Sequence, residues 1–248
     1  MRGAVRTVTI ARLRVGIHYG WLGILALVTW SLAGVFLPQE YPDWPGWLYW
    51  LSAGTAALLL LWSSLLHEAA HALVGRRFGR PMPAIMLFAL GEQIGAGVPY
   101  RSARQELLTA AAGPAVSLVL AGLLFDITTI MHPLSGPLAA PLNVAALVNL
   151  LLGLLNLIPA FPLDGGRIAA ALIWRATGSR ERAARLASAL GHGIGYFLVF
   201  AGVFLVLSGL VLTGIWALFI GWLLGTAPRF RRERPDEDAN LPPGTPIA

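Results

Sequence analysis

Three ionisable side chains, His67, Glu68 and His71, stand inside a stretch from Tyr49 to Val74 that is otherwise apolar, small or hydroxylated. As a helix that stretch is long enough to cross a bilayer, and ionisable groups at such depth need partners and a task. His67 and His71 are four residues apart. With about 3.6 residues per helical turn, both imidazoles share one face, one turn from each other, as chelation of a single metal requires. Glu68 is adjacent but rotated away from that face, where it can take a proton from a metal-bound water. The alternative, in which each histidine only bonds a neighbouring helix, leaves a buried acid and two buried bases without matched partners. The pattern therefore points to metal-assisted hydrolysis inside a membrane.

Composition agrees with the membrane setting and limits the ligands. The chain of 248 residues is 56% hydrophobic and only 12% charged, and its apolar runs repeatedly approach the roughly 20 residues needed to cross hydrocarbon. Cysteine is absent, which removes disulfides, thiolate ligands and cysteine nucleophiles and leaves His, Asp and Glu as metal ligands. All 18 basic residues are arginine. Their net positive charge reads as cytoplasmic loops facing a lipid bilayer; no basic patch with interleaved aromatics suggests nucleic acid as a partner.

The elements that must position the trio follow from where arginine, proline and glycine interrupt the apolar runs. Arg2, Arg6, Arg12 and Arg14 precede a first, uncleaved span from about His18 to Leu37, ended by Pro38. The loop 39–46 is acidic and carries no arginine, and Trp44, Trp47 and Trp50 mark an aromatic interface. The second span ends at Gly75, before Arg76, Arg77 and Arg80. His67 lies nine residues before Arg76, hence about 13 Å from the arginine-rich surface. Between Pro81 and Arg104 prolines and glycines forbid a continuous helix, yet 84–90 is apolar. A re-entrant hairpin beside the active helix reconciles these facts. The third span runs from about Leu107 to Met131, with Ala112–Gly113–Pro114 as a small-residue surface for close packing. Residues 132–141 read as an outer loop.

The fourth span is broken. Residues 143–158 read as helix, Pro159, Pro162, Gly165 and Gly166 interrupt it, and 168–174 resumes before Arg175. An interrupted helix at membrane depth must be buried in protein or line a cavity, so the break marks a site. Asp164 is eleven residues from Arg175, about 16 Å if helical, which matches the depth of the two histidines. His67, His71 and Asp164 can therefore meet as the three protein ligands of a catalytic zinc, with the fourth position left to water. Arg167, one turn on, is the competing partner for Asp164. Arg175, Arg180, Arg182 and Arg185 form the next basic loop, and spans 186–207 and 210–226 turn at Ser208–Gly209. His192, among glycines, reads as a packing residue.

Three segments resemble the site-2 protease family of intramembrane zinc metalloproteases: His67–Glu68–Ala69–Ala70–His71, Ala112–Gly113–Pro114, and the run Asn156–Leu157–Ile158–Pro159 through Leu163–Asp164–Gly165–Gly166–Arg167. The resemblance implies zinc on His67, His71 and Asp164, Glu68 as general base and acid, and Asn156 lining the site to hold a substrate strand or a developing oxyanion. Glu92 stands where the family usually has a second glycine of the hairpin. Neither nucleotide-sensing CBS modules nor a PDZ insertion is evident.

The expected architecture is an all-α membrane protein of about six transmembrane helices, with a re-entrant hairpin after the second and a broken fourth. Residues 1–227 form the membrane domain and 228–248 a disordered cytoplasmic tail. Segregation of arginine places both termini in the cytoplasm and the protein in the plasma membrane. The expected activity is hydrolysis of a peptide bond in a single-span membrane-protein substrate near the cytoplasmic side. A membrane metal-ion carrier using the same His/His/Asp set is the rival. Against the carrier stand the absence of a second set of polar residues along a path and of an inverted repeat.

Overall fold

The computed structural model describes residues 4–10, 13–80, 84–87, 100–131 and 136–225. Its membrane part is all-helical, as expected. Helix α1 comprises three contiguous stretches, Tyr19–Ser31, a π-helical Leu32–Phe36, and Leu37–Glu40. Then follow α2 (Gly46–Arg77), α3 (Ala103–Met131), α4 (Gly136–Asn156), α5 (Asp164–Thr177), α6 (Arg180–Leu207) and α7 (Val211–Gly225). Among the described residues five helical segments are long and apolar enough to span a bilayer, and α7, at 15 residues, is shorter. Helix α2 packs on α1, α3 and α4; α3 packs on α4 and α5; α5 packs on α6, and α6 on α7.

A small sheet joins the helices. Strands β1 (Ala4–Ile10) and β2 (Leu13–His18) pair antiparallel, and β3 (Ala84–Leu87) lies parallel to β2, with Arg14 opposite Ala84 and Ile17 opposite Leu87. The sequence reading treated the arginine-bearing N-terminus only as a topological signal and did not anticipate these strands. The hairpin expected between Pro81 and Arg104 falls mostly outside the described residues, as do Glu92 and the tail 228–248; β3 lies within that stretch.

Several boundaries differ from those expected, each for a physical reason. Helix α1 passes Pro38, because the preceding π turn, closed by Leu37 N–H on Leu32 O, widens the backbone where the proline ring would otherwise strike a carbonyl. Helix α4 begins at Gly136 inside the supposed loop; Pro137 falls in its first turn, where a missing N–H costs nothing. Helix α6 begins at Arg180, six residues before the expected span. Ser179 caps it, its Oγ accepting from Arg182 N–H at 3.3 Å, and Arg185 pairs with Glu181 at 3.7 Å.

Packing inverts the soluble pattern. Buried positions are mainly Ala, Gly and Ser, while Phe197, Phe200, Phe204 and Leu207 of α6 and Trp47, Trp50 and Trp62 of α2 are exposed. Lipid offers no hydrophobic drive between helices, so small residues that let backbones approach supply the contact. The pair α6–α7 illustrates it: a Cβ on Gly221 would lie 2.8 Å from Gly195 O, and one on Gly214 would lie 2.8 Å from Gly202 O. Buried Asn149 ties α4 to α2, donating to Ser63 Oγ at 2.9 Å.

Candidate metal centre

The break in the fourth span is built by glycine. Residues 157–163 connect α4 to α5 irregularly, with a cis peptide at Phe161–Pro162. A Cβ on Gly165 would lie 2.2 Å from Ile158 O, and one on Gly166 would lie 2.5 Å from Phe161 N. From α6, a Cβ on Gly191 would lie 2.5 Å from Phe161 O. The freed backbone is thus wrapped by bare helix backbone, which is how irregular chain survives at membrane depth. This folding places Asp164 in the first turn of α5, where the helix dipole favours a carboxylate.

Asp164 there faces the two histidines of α2. Asp164 Oδ2 is 3.0 Å from His67 Nε2 and 3.0 Å from His71 Nε2, and the two nitrogens are 3.2 Å apart. All three side chains are buried, at 4%, 2% and 8% exposure for His67, His71 and Asp164. Helix α3 runs behind them in register. His71 Nδ1 donates to Thr109 O at 2.7 Å, and His67 Nδ1 meets Ser117 Oγ at 2.9 Å. A carbonyl only accepts, so the Nδ1 of His71 carries the proton and a neutral ring turns the Nε2 lone pair toward Asp164. With both rings neutral, His67 Nε2, His71 Nε2 and Asp164 Oδ2 then converge with at most one proton among them. A cation resolves that arrangement.

The residues fit a metal by a second observation. Gly113 of α3 sits between Thr109 and Ser117, and a Cβ there would lie 2.2 Å from His71 Nε2 and 2.5 Å from His67 Nε2. Those values fall close to zinc–nitrogen bond lengths of about 2.0–2.1 Å. Bare backbone at Gly113 is what lets both rings sit this close to α3, and it leaves beside both nitrogens a space that an ion could fill. The three donors form the one group among the described residues able to hold a metal. Their separations approach the roughly 3.3 Å edge of a tetrahedron with such bond lengths.

The remaining expected residues are placed as follows. Glu68 is half-buried on α2 beside His67, within electrostatic reach of His71, His67, Asp164 and Arg167. Asn156 ends α4 and donates to Leu152 O at 2.9 Å; among the described residues it makes no hydrogen bond to the three ligands. Arg167 reaches the other oxygen of Asp164, Oδ1, at 3.5 Å, so its pairing coexists with the histidine contacts. His192 donates to Ser188 O at 2.8 Å on its own helix, away from the centre. Sequence reasoning missed Thr109, Ser117 and Tyr100. For the first two a signal existed: Thr109, Gly113 and Ser117 recur every four residues, matching the four-residue step of the histidines on the facing helix.

Comparison with known proteins agrees with this geometry. A model of peptidase family M50 matches residues 126–202, which include Asn156 and Asp164 but not the histidines. “Putative zinc metalloprotease Rip3” of Mycobacterium tuberculosis is 37% identical over 237 residues, 94% of this chain and 60% of that protein. “Zinc metalloprotease MJ0392” of Methanocaldococcus jannaschii is 31% identical over 169 residues, 65% of this chain and 47% of that protein. The chain thus spans 60% or less of the length of these curated relatives. The solved site-2 protease from Methanocaldococcus jannaschii has the same fold, with a TM-score of 0.64 at 23% identity over 93% of this chain and 98% of that one.

Proposed function

We propose that the chain is a member of peptidase family M50, the site-2 protease family, and an intramembrane zinc metalloprotease acting on a single-span membrane-protein substrate. The observation that carries the reading is the convergence of His67 Nε2, His71 Nε2 and Asp164 Oδ2 within 3.2 Å, with Glu68 alongside. Zinc held by these three side chains supplies Lewis acidity at the scissile carbonyl and makes the water it binds more acidic. Glu68 accepts a proton from the attacking water and returns it to the leaving amine. Asn156, at the end of α4, holds the substrate strand or the developing oxyanion. A helical amide is shielded by its own hydrogen bonds, so the substrate must present an extended segment. Strand β3 serves as its docking edge, a role supported by its having one strand neighbour among the described residues.

Metal analysis of the detergent-purified protein tests this reading. About one zinc per chain is expected, and His67→Ala should lose it. Cleavage of a reconstituted single-span substrate should stop on chelation and return with zinc. Stoichiometric zinc in His67→Ala would contradict the ligand assignment.

Our reading of the topology places the protein in the plasma membrane with both ends of this chain, and the metal centre, nearest the cytoplasmic face. Because the chain has no cysteine, single cysteines report sidedness without background. An impermeant maleimide should label Asp43→Cys on intact cells and Arg175→Cys only after lysis. The reverse pattern would overturn the orientation.

A further inference from the structure

Arg80 and Tyr100 are both buried, at 7% and 8% exposure. They meet: the Arg80 guanidinium carbon lies 3.6 Å from the centroid of the Tyr100 ring, a cation–π contact. The Tyr100 hydroxyl accepts a hydrogen bond from Arg167 Nη2 at 2.5 Å, and Arg167 Nη1 stands 3.5 Å from Asp164 Oδ1. Asp164 Oδ2 is the atom that faces both imidazoles. One continuous set of contacts therefore runs from Arg80 to the carboxylate of the metal centre.

The terminal torsion of an aspartate is soft, so its carboxylate plane needs an external hold to keep one oxygen on a metal. Arg167 can supply that hold only if its own long side chain is fixed, and Tyr100 fixes it by a hydroxyl. Tyr100 in turn is fixed from the other side by Arg80. We propose that Tyr100 and Arg167 are positioning residues that orient the Asp164 carboxylate toward the metal, and that Arg80, stacked on Tyr100, holds Tyr100 in place for that task.

This inference rests on the metal-centre reading above, and its test separates the two. The full-length protein in detergent is loaded with zinc, and zinc loss to excess chelator is timed for wild type, Tyr100→Phe, Arg167→Gln, their double variant, and Arg80→Gln. Tyr100→Phe keeps the ring on Arg80 and removes only the hydroxyl. It should release zinc several-fold faster, up to about the 10-fold that marks the low end for losing a direct partner of a ligand, since Tyr100 acts through Arg167. Its kcat should fall while KM holds, and the metal-free proteins should melt together. The double variant should release zinc no faster than Arg167→Gln alone, because both changes cut the same route. Arg80→Gln should release zinc faster than wild type. Wild-type retention in Tyr100→Phe, or effects of Tyr100→Phe and Arg167→Gln that simply multiply, would overturn the positioning role. Wild-type retention in Arg80→Gln would overturn the part given to Arg80. A wild type that takes up no zinc would defeat the metal reading itself, and this inference with it.

Discussion

Glu68→Gln keeps its zinc and loses its turnover. The amide has the size and shape of the carboxylate, and Glu68 is not among the three atoms that converge on the metal, so metal content should stay at the wild-type level. What the amide cannot do is accept the proton of the attacking water or hand one to the leaving amine. General acid–base assistance alone is worth about 10²–10⁴-fold, which takes fragment formation from a co-reconstituted single-span substrate below detection. A metal carrier predicts otherwise, since it has no proteolysis to lose and the substitution would act on metal flux. Equal fragment yields from wild type and Glu68→Gln would remove the role assigned to this residue.

Gly113→Ala should do the opposite, leaving the general base intact and excluding the metal. The added methyl would lie 2.2 Å from His71 Nε2 and 2.5 Å from His67 Nε2, inside van der Waals contact, and both rings are held from behind by Thr109 and Ser117. Neither ring can retreat without losing that bond. Zinc content should fall to near zero and activity with it, from the addition of a single carbon. Gly153→Ala is the matched control: its Cβ would lie 2.8 Å from Leu118 Cδ2, the far end of a side chain that can move. It should lower the melting temperature and leave zinc in place. Full zinc occupancy in Gly113→Ala would show that the space beside the two nitrogens is not needed by the metal.

Much of this centre was legible in the sequence because its parts obey simple periods. The four-residue step of His67 and His71 gives a shared helix face, and counting 1.5 Å per residue from flanking arginines sets Asp164 at the same depth. Gly113 was visible as a small residue, but its role was not. Only the superposition of α3 on α2 turns a packing glycine into the wall of a metal site. Tyr100 was illegible for a similar reason: Arg80, Tyr100 and Arg167 come from three separate places in the chain. The N-terminal strands had a signal in Val5, Thr7, Val8, Thr9, Val15 and Ile17, residues that favour extended chain. Their interleaved arginines drew the reading toward topology instead. The start of α4 was hidden because proline reads as a loop residue although it suits a first helical turn, and that of α6 because its arginines read as loop although Ser179 caps the helix.

The lining of the helix interfaces by alanine, glycine and serine has a consequence for how this chain can vary. In a water-soluble protein the large apolar side chains hold the interior together, and exchanging them is what a fold resists. Here Phe197, Phe200 and Phe204 look outward, and any greasy side chain of similar bulk would satisfy the lipid they face. Gly195, Gly202, Gly214 and Gly221 have no such freedom, because the neighbouring backbone already occupies the space a methyl would take. A saturation library selected for intact protein should therefore show tolerance upside down, with the bulkiest hydrophobic positions freely interchangeable and the smallest ones fixed.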